Sequence, residues 1–231
     1  MAMHGKKYEK ARKVVEDIGV LPVKVALSKI KELAFAKFDE SVDVNINIGI
    51  DPTRPEQSVK GSVILPHGTG RTVKVLVFAK GDYADKALKA GADYVGAADL
   101  ADKISSGWLD FNYVVATPDM MGLVGKLAKI LGPKGILPNV KAGTVTFDVE
   151  NIVSELKKGR TFFKNNKSGQ VHLSIGKVSF DGNKLYDNFV VFIKTLSALR
   201  PATAKGQFIK KVTVTSTMGA GIQVNLDEVL K

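Results

Sequence analysis

Residues 41–50 read Ser41-Val42-Asp43-Val44-Asn45-Ile46-Asn47-Ile48-Gly49-Ile50. Apolar side chains alternate strictly with small or polar ones. That is the period of a β-strand with one face buried and one wet. A second strand is predicted around Val59 to Leu65, after the turn Asp51-Pro52-Thr53-Arg54-Pro55. The short connection predicts an antiparallel pair. Further along, Thr72 to Ala79 (TVKVLVFA) is more continuously apolar, as in a parallel strand covered on both faces. Two kinds of strand in one chain imply two kinds of sheet.

Working outward from residue 41, helices precede the alternating strand. Lys6 to Ile18 places Tyr8, Ala11, Val14, Val15 and Ile18 at spacings of three and four, an amphipathic helix. Pro22 is predicted to open a second helix at its first position, with a stripe of Val23, Ala26, Leu27, Ile30, Leu33 and Ala34, closing at Lys37-Phe38. Beyond the continuous strand, helix and strand signals alternate: helices at Asp82–Ala90, Ala98–Ser105, Met120–Leu131 and Asn151–Lys158, strands at Tyr94-Val95 and Tyr113–Ala116. This is the pattern of an α/β unit in three layers. The antiparallel style then returns, with strands at Thr161–Phe163, Gln170–Phe180 and Phe208–Thr217. Between the last two, Leu185, Phe189, Phe192, Ile193, Leu196 and Leu199 form a helical stripe that ends at Pro201.

The expected fold is an α+β body with an antiparallel sheet, of the split β-α-β type, interrupted by an inserted three-layer α/β domain that is Rossmann-like. The body comprises residues 1–67 and 160–231, and the insertion residues 68–159. The crossings at Pro66–Gly70 and Lys158–Gly159 predict a hinge, with Pro66, His67, Gly68 and Gly159 as its residues.

The chain has 231 residues, and 34 Lys and Arg against 23 Asp and Glu leave a net charge of +11. Such an excess in a folded chain implies a polyanionic partner. The insertion holds 12 basic and 10 acidic residues, so the body carries +9 of the charge. No cysteine is present, which excludes disulfides, thiolate nucleophiles and Cys-ligated zinc. Apolar runs are too short to span a membrane and no signal peptide is evident, so a soluble cytoplasmic protein is expected.

Catalytic motifs are absent. His4, His67 and His172 lack metal-ligand spacing. The turn Lys80-Gly81-Asp82-Tyr83 lacks the dinucleotide fingerprint, and Gly132-Pro133-Lys134-Gly135 lacks phosphate-loop spacing. The alternation of the insertion leaves a nucleotide- or metabolite-binding α/β enzyme as an alternative, and a basic DNA-binding protein as a third. Three stretches suit nucleic acid. Lys164-Asn165-Asn166-Lys167-Ser168-Gly169 is a polar basic turn whose amides and ammonium groups suit phosphate and ribose, or a plain hairpin turn. Phe38 is either exposed for stacking or a core aromatic four residues beyond Ala34. Thr213 to Gly219 (TVTSTMG) offers hydroxyls for ribose 2′-OH groups, a flexible Met and a Gly permitting close approach, or simply good strand formers.

Several ordered blocks carry a resemblance: Lys37-Phe38-Asp39-Glu40, Gly49-Ile50-Asp51-Pro52, Leu65-Pro66-His67-Gly68, Gly91-Ala92-Asp93-Tyr94-Val95-Gly96, Val115-Ala116-Thr117-Pro118-Asp119, Leu131-Gly132-Pro133-Lys134-Gly135, Leu137-Pro138-Asn139, Lys141-Ala142-Gly143-Thr144-Val145 and Thr217-Met218-Gly219. In these the chain resembles the large-subunit ribosomal protein L-one family, of bacterial type. The resemblance implies the split architecture and docking on large-subunit ribosomal RNA at the mobile stalk. It also implies help in moving and releasing deacylated exit-site tRNA, and repression of the protein's own operon through its mRNA leader. The protein is expected to be a monomer when free, with no cofactor and no metal. The resemblance places RNA contacts at Lys37, Phe38 and Ser41, at Asn166, Lys167 and Gly169, and at Thr217, Met218 and Gly219. The family usually has Asp at the position of Asn166 and often Pro at that of Val140.

Overall fold

The computed structural model describes residues 5–140, 143–204 and 206–226. His4, and Lys141 and Ala142 of the quoted blocks, lie outside them. The chain divides into two compact units, Met1–Gly70 with Thr161–Lys231, and Arg71–Arg160.

In the first unit the elements run α1 (Lys6–Ile18), β1 (Leu21–Pro22), α2 (Val23–Leu33), β2 (Ser41–Ile48), a 3₁₀ turn (Pro55–Gln57) and β3 (Lys60–Ile64). The second unit contributes β4 (Val75–Phe78), α3 (Asp82–Lys89), β5 (Tyr94–Gly96), α4 (Ala98–Ser105) and β6 (Tyr113–Ala116). It continues with a 3₁₀ turn (Pro118–Met120), α5 (Met121–Lys126), α6 (Ala128–Leu131) and α7 (Val149–Lys158). The chain then re-enters the first unit as β7 (Arg160–Lys164), β8 (Gln170–Lys177), α8 (Gly182–Ala198), β9 (Ile209–Ser216) and β10 (Ile222–Asn225).

The main sheet of the first unit has the order β1-β10-β9-β2-β8. β2 runs antiparallel to both β8 and β9. Its inward residues Val42, Val44, Ile46 and Ile48 join Ala26, Leu27 and Ile30 of α2 and Phe189, Phe192 and Ile193 of α8 in one core. The second unit has a three-stranded parallel sheet, order β5-β4-β6. All four residues of β4 are buried, as a continuous apolar strand requires. Leu76 and Phe78 pack with Leu100, Ile104, Val124 and Leu131, whereas α3 and α7 pack on each other and on β4.

Several expectations are corrected. β3 does not pair with β2; it pairs with β7 in a separate two-stranded sheet. Both edges of β2 are already taken by β8 and β9, so no ladder position remains for β3. The main sheet is mixed rather than purely antiparallel, because the two-residue β1 lies parallel to β10. Pro22 belongs to β1 and is the N-cap of α2, one residue before the first helical position. The helix expected over Met120–Leu131 is broken at Leu127, whose N–H reaches Val124 O, one residue short of α-helical pitch, in a segment weakened by Gly122 and Gly125. β8 ends at Lys177, where Phe180 N–H bonds Lys177 O in a turn. β10 was not anticipated.

Within the first unit, Asn188 of α8 is fully buried and satisfied. Its Oδ1 accepts from His67 N at 3.1 Å, and its Nδ2 donates to Gly68 O at 3.0 Å and Ile175 O at 2.7 Å. His67 and Gly68, two of the expected hinge residues, are thus fastened to α8. Gly159, another, ends α7 in the left-handed region at φ 109°. Replacing Asn188 by Leu strands one N–H and two carbonyls, each costing about 1–3 kcal/mol when buried. Asn188→Leu is expected to destabilise the first unit by about 3 kcal/mol or more, seen as a lower midpoint in urea titration followed by far-UV circular dichroism. An unchanged midpoint would remove this clamp from the account.

Candidate nucleic-acid interface

The two faces of the main sheet differ. On β2 the side chains opposite the core are Ser41, Asp43, Asn45 and Asn47. Register sets Asp43 beside Ser174 and Thr215, Asn45 beside His172 and Thr213, and Asn47 beside Gln170 and Lys211. Gln223 of β10 continues the row beyond Thr213. These side chains are half-buried or exposed, apart from Ser41 at the edge, and they carry hydroxyls, amides and one imidazole. The face is a platform of mostly neutral hydrogen-bonding groups, with full charges at Asp43, Lys211 and, beside Ser41, Lys177.

The nine residues expected at the interface fall into two groups. Lys37, Phe38, Ser41, Thr217, Met218 and Gly219 gather at the start of β2; Asn166, Lys167 and Gly169 gather at its end. β2 spans eight residues, which separates the groups by roughly 23 Å at about 3.3 Å per residue.

At the first end, Lys37 and Phe38 lie in a bend beyond α2 rather than closing it. Phe38 is 56% exposed, so it is not a core aromatic. The helix stops at Leu33 because Ala36 N–H, which would bond Glu32 O in a longer helix, instead donates to Glu40 Oε1 at 2.9 Å. Glu40 is 1% exposed. Its Oε2 accepts from Met218 N at 3.1 Å. Burial opposes its ionisation, but the Ser216 hydroxyl and the N–H groups of Ala36, Met218 and Phe35 outweigh it and hold its pKa below the ordinary glutamate value. Asp39 accepts from Ser179 N and Oγ, and Lys177 Nζ reaches Ser41 Oγ at 3.0 Å, which fixes the rest of the bend.

Thr217 closes the ladder at this end. Its N–H donates to Ser41 O at 3.0 Å and its Oγ1 accepts from Ser41 N at 2.9 Å. The hydroxyl expected to face RNA is therefore largely used within the protein, and it sets the register of Ser41. Met218 projects beyond it, 51% exposed. Gly219 has no room for a side chain, because a Cβ there would overlap Ser216 Oγ.

At the second end, Asn166 organises a tight turn. Its Oδ1 accepts from Ser168 N and Gln170 N, both at 2.9 Å, and Gly169 N donates to Asn166 O. Gly169 has φ +70°, which favours glycine, and its carbonyl accepts from Ile48 N at 2.9 Å, fastening the turn to β2. Asn166 Nδ2 donates to Gln170 Oε1 and to His172 Nε2, while His172 Nδ1 donates to Asn45 Oδ1 at 2.6 Å. An Asp at this position would keep the turn and lose the two Nδ2 donations. Lys167 and Ser168 are left exposed at the tip.

Sequence reading gave Glu40 no role and offered Ser216 only as one of the hydroxyls of the 213–219 stretch, whereas burial joins the two. It also passed over Asn45 and His172 as interface residues, though the polar half of the alternation in residues 41–50 was a signal for that face; the hydroxyls of Thr213 and Thr215 were expected as part of the 213–219 stretch and lie on it. Among the described residues, no cluster of three or more His, Asp or Glu is arranged to hold a metal ion. No helix among them is long and apolar enough to cross a membrane.

Two outcomes test this geometry. In a carbon NMR titration the Glu40 carboxyl is expected to titrate below the ordinary glutamate value. Because the folded pKa is depressed, the stability it contributes is present above the unfolded value and is lost as pH falls through the folded one. Gly219→Ala is expected to push the Ser216 hydroxyl off Glu40 and lower stability by about 1–2 kcal/mol, read as a drop in thermal midpoint.

Comparison with known families bears on the same residues. The profile described as the ribosomal protein L1p/L10e family matches residues 30–220, a span that holds β2, the bend at Phe38, the turn at Asn166 and Gly219. That family consists of ribosomal proteins rather than enzymes. The match covers far more than half of the sequence, and the chain belongs to the ribosomal protein L1p/L10e family.

Proposed function

We propose that the chain binds large-subunit ribosomal RNA through the polar face of its main sheet, gripped at both ends of β2. The observation that carries this reading is the platform itself: hydroxyls and amides at Asn45, Thr213 and Thr215, with Phe38 and Met218 exposed at one end and Lys167 at the other. Hydroxyl and amide groups pair with ribose 2′-OH groups and base edges, which distinguish RNA from DNA. Phe38 offers a ring for stacking, and the +9 carried by residues 1–67 and 160–231 supplies long-range attraction. Family membership supports ribosomal RNA as the ligand.

The finer roles build on that contact. As a component of the mobile stalk, the protein assists movement and release of deacylated tRNA at the exit site. The same surface represses the protein's own operon when the mRNA leader presents the shape of the ribosomal site. Flexing between the two units accompanies tRNA movement; of the expected hinge residues Pro66, His67, Gly68 and Gly159, His67 and Gly68 are held to α8 by Asn188, so the bending falls to the residues after Gly68 and to Gly159. Support for these roles is the resemblance of the quoted blocks, from Lys37-Phe38 to Thr217-Met218-Gly219.

Binding to a stalk rRNA fragment is expected to weaken with salt along a straight log–log line, and Lys167→Ala is expected to reduce its slope by about 1. A DNA copy should bind far more weakly. Equal affinity for the DNA copy, or a salt-independent affinity, overturns the proposal. Footprinting on the rRNA and on the protein's own leader tests the regulatory role, which fails if the leader is not protected.

A further inference from the structure

Two exposed apolar side chains lie at the start of β2 on segments distant in sequence. Phe38 sits in the bend after α2, and Met218 in the turn after β9. Nothing in the local sequence of either segment fixes its position relative to the other. The bend interrupts a helix at a place with neither Gly nor Pro to stop it, since residues 34–38 read Ala-Phe-Ala-Lys-Phe.

One buried carboxylate addresses both segments. Glu40 Oε1 takes the N–H of Ala36, two residues before Phe38, and Oε2 takes the N–H of Met218 itself. The Ser216 hydroxyl and the Phe35 N–H complete its partners. Ser216 in turn lies under Gly219, which must lack a side chain for the hydroxyl to remain there. Among the described residues no arginine or lysine forms an ion pair with Glu40, and hydrogen-bond donors meet its charge. Hydrogen bonds to a buried charge are stronger than neutral ones and depend steeply on geometry.

We infer that Glu40 is a positioning residue for RNA recognition, holding Phe38 and Met218 at a fixed separation so that they contact the RNA as one unit. This rests on the RNA-binding reading given above. Glu40 itself touches no RNA, since both its oxygens are occupied within the protein. Its neutral isostere would turn an amide N–H toward groups that are themselves donors. Either the Ala36 or the Met218 N–H then loses its acceptor, and that segment is held less firmly against the other.

The test uses the full-length chain and the stalk rRNA fragment, at a temperature where circular dichroism shows each variant folded. Glu40→Gln is expected to raise Kd about 10- to 100-fold, the equivalent of one or two charge-assisted hydrogen bonds. The salt slope should stay that of the wild type, because no phosphate contact is removed. Hydrogen exchange at the Met218 or Ala36 amide should accelerate in the variant. Met218→Ala and Phe38→Ala should each weaken binding in the wild-type background and have much less effect in the Glu40→Gln background. Additive effects, or wild-type affinity in Glu40→Gln while Met218→Ala and Phe38→Ala still weaken binding, overturn the positioning role and leave the RNA reading intact. Wild-type affinity in Met218→Ala and Phe38→Ala overturns the reading of this end of the interface. Should Glu40→Gln fail to fold, Ser216→Ala decides. It keeps the charge and removes one donor, so Kd should rise by several fold at unchanged salt slope, and an unchanged Kd counts against the role.

Discussion

Strand β2 lies between β8 and β9, and its one-residue alternation sets both faces of the main sheet. Val42, Val44, Ile46 and Ile48 fill the core against α2 and α8. At about 25 cal/mol per Å² of apolar surface, burying four such side chains is a dominant local contribution to folding. A slip of one residue would carry all four to solvent, so the register is strongly specified. Specifying the buried half also specifies the wet half. Asn45 comes to lie beside His172 and Thr213 because Ile46 must lie beside Val171 and Val212.

The ends of β2 are finished by polar side chains rather than by apolar packing. Glu40 and Thr217 shape one end, and Asn166 with Gly169 the other. In each case a side-chain oxygen takes up N–H groups that would otherwise be left unpaired where regular structure stops. Exposed residues beside these anchors, Phe38, Met218 and Lys167, are thereby presented to solvent on short, well-anchored segments. Rigid presentation favours recognition because less conformational freedom is lost on binding.

The elements with strong periodicity were legible in the sequence. Lys6–Ile18, Ala98–Ser105 and Tyr113–Ala116 appear within the expected limits, as does the alternating strand from Ser41. Pairing was less legible. The short connection between β2 and β3 suggested a hairpin, but periodicity says nothing about which strand occupies an edge, and β8 and β9 occupied both. The break at Leu127 was obscured because Leu123, Val124, Leu127 and Leu131 keep a helical stripe through it. Phe38 was ambiguous for a related reason: its spacing from Ala34 fits the stripe of α2, and only the donors drawn off by Glu40 show that the helix has already ended.

Sequence alone determined the two kinds of strand, the apolar stripes, the location of most of the positive charge and the blocks that carry the family resemblance. These are properties of short stretches, or sums over long ones, and short-range sterics and burial fix them. Tertiary structure decided which strands are neighbours, that the expected contact residues fall at opposite ends of one strand, and that Glu40 joins Ala36 to Met218. Those facts depend on groups far apart in the chain, some 180 residues for Glu40 and Met218. A buried carboxylate acquires its role only when folding removes water and leaves those N–H groups as its partners.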